Sequence, residues 1–176
     1  MKLSEKVFLW SLGLLAVMLP SCSSDEPDTS VPIEHFQCSR IPYEELEPGF
    51  EDIPIVTIAF SESTQKLTVK LVNYDIEGII DKVKPSAFIS GNSISLCFWQ
   101  PRYDPLLEAS YRTKTEWVLD NIAPGSYSVS IHYIIRNSPP SEKNLDSPLM
   151  KDSKIDLVGD VSLKYFFHPD GFSQTP

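Results

Sequence analysis

Val56-Thr57-Ile58-Ala59-Phe60-Ser61-Glu62-Ser63-Thr64-Gln65-Lys66-Leu67-Thr68-Val69-Lys70-Leu71 is the stretch from which the fold is read. Val56, Ile58 and Phe60 alternate with Thr57 and Ala59, and Leu67, Val69 and Leu71 alternate with Lys66, Thr68 and Lys70. A period of two, rather than 3.6, is the mark of strands with one face in a core and one in water. The polar run Ser61–Gln65 between them is too short for a crossover helix and long enough for a hairpin loop, so the two strands pair antiparallel.

The same period recurs outward from this hairpin. Ile94, Leu96 and Phe98 share one face of a strand whose other face carries Ser95, Cys97 and Trp99, and Gly91-Asn92 before it supplies a turn tolerant of positive φ. Trp117 and Leu119 mark another strand. Tyr127, Val129, Ile131, Tyr133 and Ile135 mark a long one, and Val161, Leu163, Tyr165 and Phe167 the last. Asp75–Lys84 fits a helix by the spacing of Ile76, Ile79, Ile80 and Val83, but Gly78 and the isoleucines suit a bulged strand, which is the reading adopted. The expectation is an all-β chain forming a single antiparallel β-sandwich of about seven to eight strands, with a barrel as the alternative.

Composition agrees. Of 176 residues 41% are hydrophobic and 11% aromatic, enough for one core, and 15 prolines against 7 glycines favour rigid turns over long helices. Fifteen basic against 24 acidic residues give a net charge of −9, which argues against nucleic acid as a partner.

The segment Leu119-Asp120-Asn121-Ile122-Ala123-Pro124-Gly125-Ser126-Tyr127-Ser128-Val129 ends one strand, turns at Pro-Gly and opens the next with an aromatic residue. It resembles the Pro-Gly-x-Tyr-x-Val segment of transthyretin-like and related immunoglobulin-like sandwich domains of bacterial surface proteins. The resemblance implies that Tyr127 packs inward with Val129 and Ile131. It carries little about activity, because such folds host many functions.

The amino terminus reads as an address. Lys2 and Lys6 precede an apolar run, Val7–Leu19, that is shorter than the roughly 20 residues a membrane-spanning helix needs. Leu19-Pro20-Ser21-Cys22 resembles the lipobox of bacterial lipoproteins, with Pro20 departing from the commoner small residue. The resemblance implies cleavage before Cys22 and acylation of its thiol. Ser23-Ser24-Asp25-Glu26-Pro27-Asp28 resembles the serine-plus-acidic export tag of Bacteroidota surface lipoproteins, which implies display on the cell exterior; the periplasmic face is the alternative. The expected organisation is a signal peptide over residues 1–21, a lipidated flexible tether over 22–34 and a sandwich domain over 35–176. Cleavage removes two basic residues and one acidic one, leaving 13 against 23 and a charge of −10.

Candidate chemistry is sparse. With Cys22 acylated, Cys38 and Cys97 are candidates either for one disulfide, closing a loop of about 60 residues and stabilising by roughly 4 kcal/mol, or for two separate buried thiols. His35, His132 and His168 have no metal-ligand spacing, and His132, alternating with core residues, is expected to face outward. No nucleophile elbow or phosphate-binding glycine loop occurs, so no cofactor or metal is implied. The acidic cluster Glu44, Glu45, Glu47, Glu51 and Asp52 is read as a solvated face. The connections Gln100–Lys114 and Asn137–Lys154 are the places for recognition, with Trp99, Arg102, Tyr103 and Tyr111 as a ligand platform. The sequence thus points to an outer-membrane lipoprotein, held to the membrane through Cys22, that acts as a non-catalytic binding, adhesion or accessory module for a glycan or protein ligand. A small envelope hydrolase is one alternative, and a fimbrial or complex subunit another.

Overall fold

The computed structural model describes residues 29–42, 53–102, 110–168 and 171–174. Ten strands build two sheets: β1 (Ile33–Arg40), β2 (Ile55–Ser61), β3 (Lys66–Glu77), β4 (Lys84–Ser90), β5 (Ser93–Gln100), β6 (Ser110–Leu119), β7 (Gly125–Ile135), β8 (Met150–Leu157), β9 (Val161–His168) and β10 (Gly171–Gln174). The first sheet runs β1-β6-β3-β2-β9-β10 and the second β4-β5-β7-β8. The expected hairpin is present, with Phe60 opposite Leu67 and Ile58 opposite Val69.

The alternation explains the core. In the six-stranded sheet Phe36, Trp117, Val69, Ile58 and Leu163 sit side by side on five neighbouring strands, all toward the second sheet. Ile94, Leu96 and Phe98 of β5 and Val129 and Ile131 of β7 meet them; all five are fully buried. Phe98 packs edge-on to Trp117, centroids 5.5 Å apart, and stacks on Tyr133 at 5.0 Å. Tyr127 joins the core as expected, and its hydroxyl donates to the Ala123 carbonyl at 2.9 Å. That back-bond spans the Pro-Gly turn at the start of β7.

The β-sandwich differs from expectation in three respects. It has ten strands rather than seven or eight, because β1, β8 and β10 lack a clean hydrophobic alternation. It is not wholly antiparallel: the chain leaves β5 for β6 in the opposite sheet and returns as β7 parallel to β5. Asp75–Lys84 is not one bulged strand, for β3 continues to Glu77, Gly78 turns at φ 112°, a 3-10 turn follows at Ile80–Lys82, and β4 begins at Lys84. The fold also takes up the chain before residue 35. Val31 N–H donates to the Ala87 carbonyl and Ile89 N–H to the Thr29 carbonyl, so the end of the expected tether covers part of the β4 edge.

Candidate functional site

Of the residues expected to form a platform, Trp99 and Tyr111 stand on different sheets. Trp99 is buried, 6% exposed, on the outer face of the four-stranded sheet, in a small cluster with Cys97, Ile134 and Leu145. The Lys84 ammonium lies 5.4 Å from its ring centroid, and its indole N–H has no hydrogen-bond partner among the described residues. Arg102 is tied through its backbone N–H to Asn137 Oδ1 at 3.1 Å. Tyr111 belongs to the other sheet, under the Arg40 guanidinium at 5.3 Å. Tyr103, Cys22 and the acidic cluster from Glu44 to Asp52 lie outside the described residues.

Cys38 and Cys97 are two free thiols rather than a bridge. Cys38 faces the core from β1, where Thr115 Oγ1 donates to its sulfur at 3.4 Å, whereas Cys97 points out of the opposite sheet. Burial pushes the Cys97 thiol up to about 12 and also raises Cys38, against a smaller lowering by the Thr115 bond. Neither thiol is a nucleophile near neutral pH.

Beside Cys97 stands His132, which does point away from the inter-sheet core but is only 5% exposed. The expectation of a surface histidine fails because residues 136–149 fold over this face. Leu145 packs on the cluster, Arg136 reaches Asp146 at 3.8 Å, and Thr29 Oγ1 donates to Glu142 at 2.7 Å. The Asp146 carbonyl, 2.8 Å from Nδ1, can only accept, so that nitrogen carries a proton; Nε2 lies 3.0 Å from Ser130 Oγ, which also donates to Ser95 Oγ at 3.2 Å. A serine bonded to an oriented imidazole is the elementary unit of nucleophilic hydrolysis. Ser130, however, is only 8% exposed.

The outer face of the six-stranded sheet is finished differently. Register places Lys114, Val72, Ile55 and Phe166 in one row across β6, β3, β2 and β9, and Glu116, Lys70, Thr57 and Lys164 in the next. Between these rows lies a solvent-open groove of about 310 Å³ lined by Ile41, Ile55, Thr57, Val72, Asn73, Lys114 and Lys164. Ile55 is 4% exposed and Ile41 9%, so the floor is aliphatic on a face where strand alternation calls for polar residues. A bulge between Val72 and Tyr74 shapes one wall: Asn73 adopts φ 63°, which asparagine tolerates, and turns its amide toward the Ile53 carbonyl at 3.5 Å. Lys70 is engaged with Glu116 at 3.1 Å, and the Lys164 ammonium lies 5.5 Å from the centroid of the Phe166 ring. A smaller hollow lined by Gln37, Ser39, Lys114 and Glu116 continues the groove toward β1.

None of these groove residues was singled out from composition or motif. The signal is a set of apolar doublets, Ile55-Val56, Leu71-Val72 and Tyr165-Phe166, in which one member must face outward. Once the hairpin register is known, the outward members fall side by side. Among the described residues no group of three or more His, Cys, Asp or Glu gathers as a metal site. The groove is concave, aliphatic at its base and flanked by the lysines Lys114 and Lys164. No protein-family model, curated protein or solved structure matches the chain, so its function is argued from this chemistry alone.

Proposed function

We propose that the chain is a lipoprotein anchored at Cys22 in the outer membrane, facing the cell exterior, whose sandwich is a non-catalytic binding module. The observation that carries this reading is the groove: a hollow with an aliphatic floor and lysines at its walls, on the open face of the six-stranded sheet. The lipobox-like Leu19-Pro20-Ser21-Cys22 and the acidic run after it support the anchor. Several acyl chains on one cysteine hold firmly, since each buried CH₂ contributes about 0.8 kcal/mol. Thr29, the first described residue, lies along the β4 edge and is bonded to Glu142, beside the covered face, whereas the groove is on the other sheet.

The test has two arms in cells producing the protein. Metabolic labelling with an alkyne fatty acid is expected to mark the wild type and not Cys22→Ala, which should appear in the soluble fraction. The purified 23–176 chain is then screened against glycan and protein arrays beside the Lys114→Gln/Lys164→Gln variant. Retention that the double variant loses at unchanged melting temperature supports the groove as the site. Retention that the variant keeps places recognition elsewhere and defeats the reading.

A further inference from the structure

We infer that the groove takes a small amphipathic anion: a carboxylate-type head engaged by Lys114 and Lys164, and an aliphatic or aromatic body lying on Ile41, Ile55 and Val72. This rests on reading the face as a binding surface and names the ligand class. Charge points to the head. In a chain of net charge −9, two lysines flank one hollow from strands on opposite sides of β2 and β3. The floor points to the body. Three aliphatic side chains line it against only two uncharged polar ones, Thr57 and Asn73, and the Asn73 amide is turned to the Ile53 carbonyl. That supply of donors and acceptors suits one carboxylate and an apolar remainder, not a free sugar with a hydroxyl on nearly every carbon.

Size narrows the class further. A volume of 310 Å³ is at the low end for a ligand pocket, and at about 30 Å³ per non-hydrogen atom it holds on the order of ten of them. Octanoate has that number, and acetate, octan-1-ol and methyl octanoate each lack one feature. A ligand this small, half of it solvated, binds with a Kd on the order of 0.1–1 mM.

The experiment is an amide NMR titration of the 23–176 chain with octanoate, acetate, octan-1-ol and methyl octanoate. Octanoate is expected to shift the amides of Ile55–Thr57, Val72, Asn73, Lys114 and Lys164 saturably. Acetate and the neutral analogues should do so about tenfold more weakly or not at all, and Lys114→Gln/Lys164→Gln should weaken octanoate by about tenfold. Equal response to octanoate and octan-1-ol overturns the role of the lysines, and equal response to acetate overturns that of the floor. Binding to phosphatidylglycerol vesicles without an octanoate response assigns the lysines to a membrane surface instead. A neutral array ligand that shifts these amides where octanoate does not defeats this inference and leaves the binding module standing; silence of these amides toward every compound defeats both.

Discussion

On the four-stranded sheet, the outward side chains of β5 and β7 are Ser95, Cys97, Trp99, Ser130, His132 and Ile134, and the chain folds its own residues 136–149 over them. On the six-stranded sheet, the outward row Glu116, Lys70, Thr57 and Lys164 runs beside the row Lys114, Val72, Ile55 and Phe166, and the groove among them is open to solvent. Both faces depart from plain alternation by carrying apolar residues outward. One satisfies them internally, as a second small core with a hydrogen-bonded serine–histidine pair. The other leaves them at the base of a charged hollow. Apolar area that a protein covers itself adds to its stability, and the small part of a floor that a hollow leaves in reach is available to a partner.

The difference can be broken first at Trp99. Trp99→Ala empties the centre of the covered cluster and is expected to cost about 3 kcal/mol in urea unfolding, the lower end for a buried tryptophan because the main core is untouched. A loss under about 1 kcal/mol would mean that residues 136–149 lie on this face without depending on it. Alkaline titration probes the same cluster. Cys97 is held protonated in the fold up to about 12, against about 9 in the unfolded chain. Between pH 9 and 12 the unfolded state therefore binds fewer protons, and stability falls as pH rises. Below pH 9 the thiol is neutral in both states and contributes nothing. The expected slope from this group is up to about 1.4 kcal/mol per pH unit, absent in Cys97→Ala. Ser130→Ala removes the hydroxyl that bonds both Ser95 Oγ and the His132 ring and should cost about 1 kcal/mol.

The open face should behave oppositely. Lys114→Gln and Lys164→Gln are expected to change unfolding free energy by less than about 0.5 kcal/mol each, while removing ligand retention. Substitutions on one face thus move stability, and on the other, binding. A pair of lysine variants that melts several degrees lower would erase the distinction.

Much of the fold was legible before the structure, and for a physical reason: a half-buried strand writes its face into the sequence with period two. Val56–Phe60, Leu67–Leu71, Ile94–Phe98 and Tyr127–Ile135 read directly. β1 does not, since Glu34-His35-Phe36-Gln37-Cys38 has one large apolar residue and pairs only at the sheet edge. The parallel return of β7 beside β5 depends on a crossing between sheets that no local pattern encodes. The outward direction of His132 was legible too, but its burial depends on a loop 14 residues on, whose path is set by contacts of Leu145 and Asp146. The placement of Trp99 and Tyr111 was hidden for a similar reason. Trp99 and Tyr111 are near in sequence but on different sheets, each with a cation near its ring. The groove was half written in the doublets Ile55-Val56 and Leu71-Val72; only register shows that Ile55 stands opposite Val72.

The most direct test of the account is a lysine-modification footprint of the 23–176 chain, acetylated briefly with and without saturating octanoate and read by peptide mass spectrometry. The account predicts that Lys114 and Lys164 are protected while Lys84 and Lys143, beside the covered face, react unchanged. Protection centred on Lys84 and Lys143, or equal reactivity of all four in both samples, would contradict it.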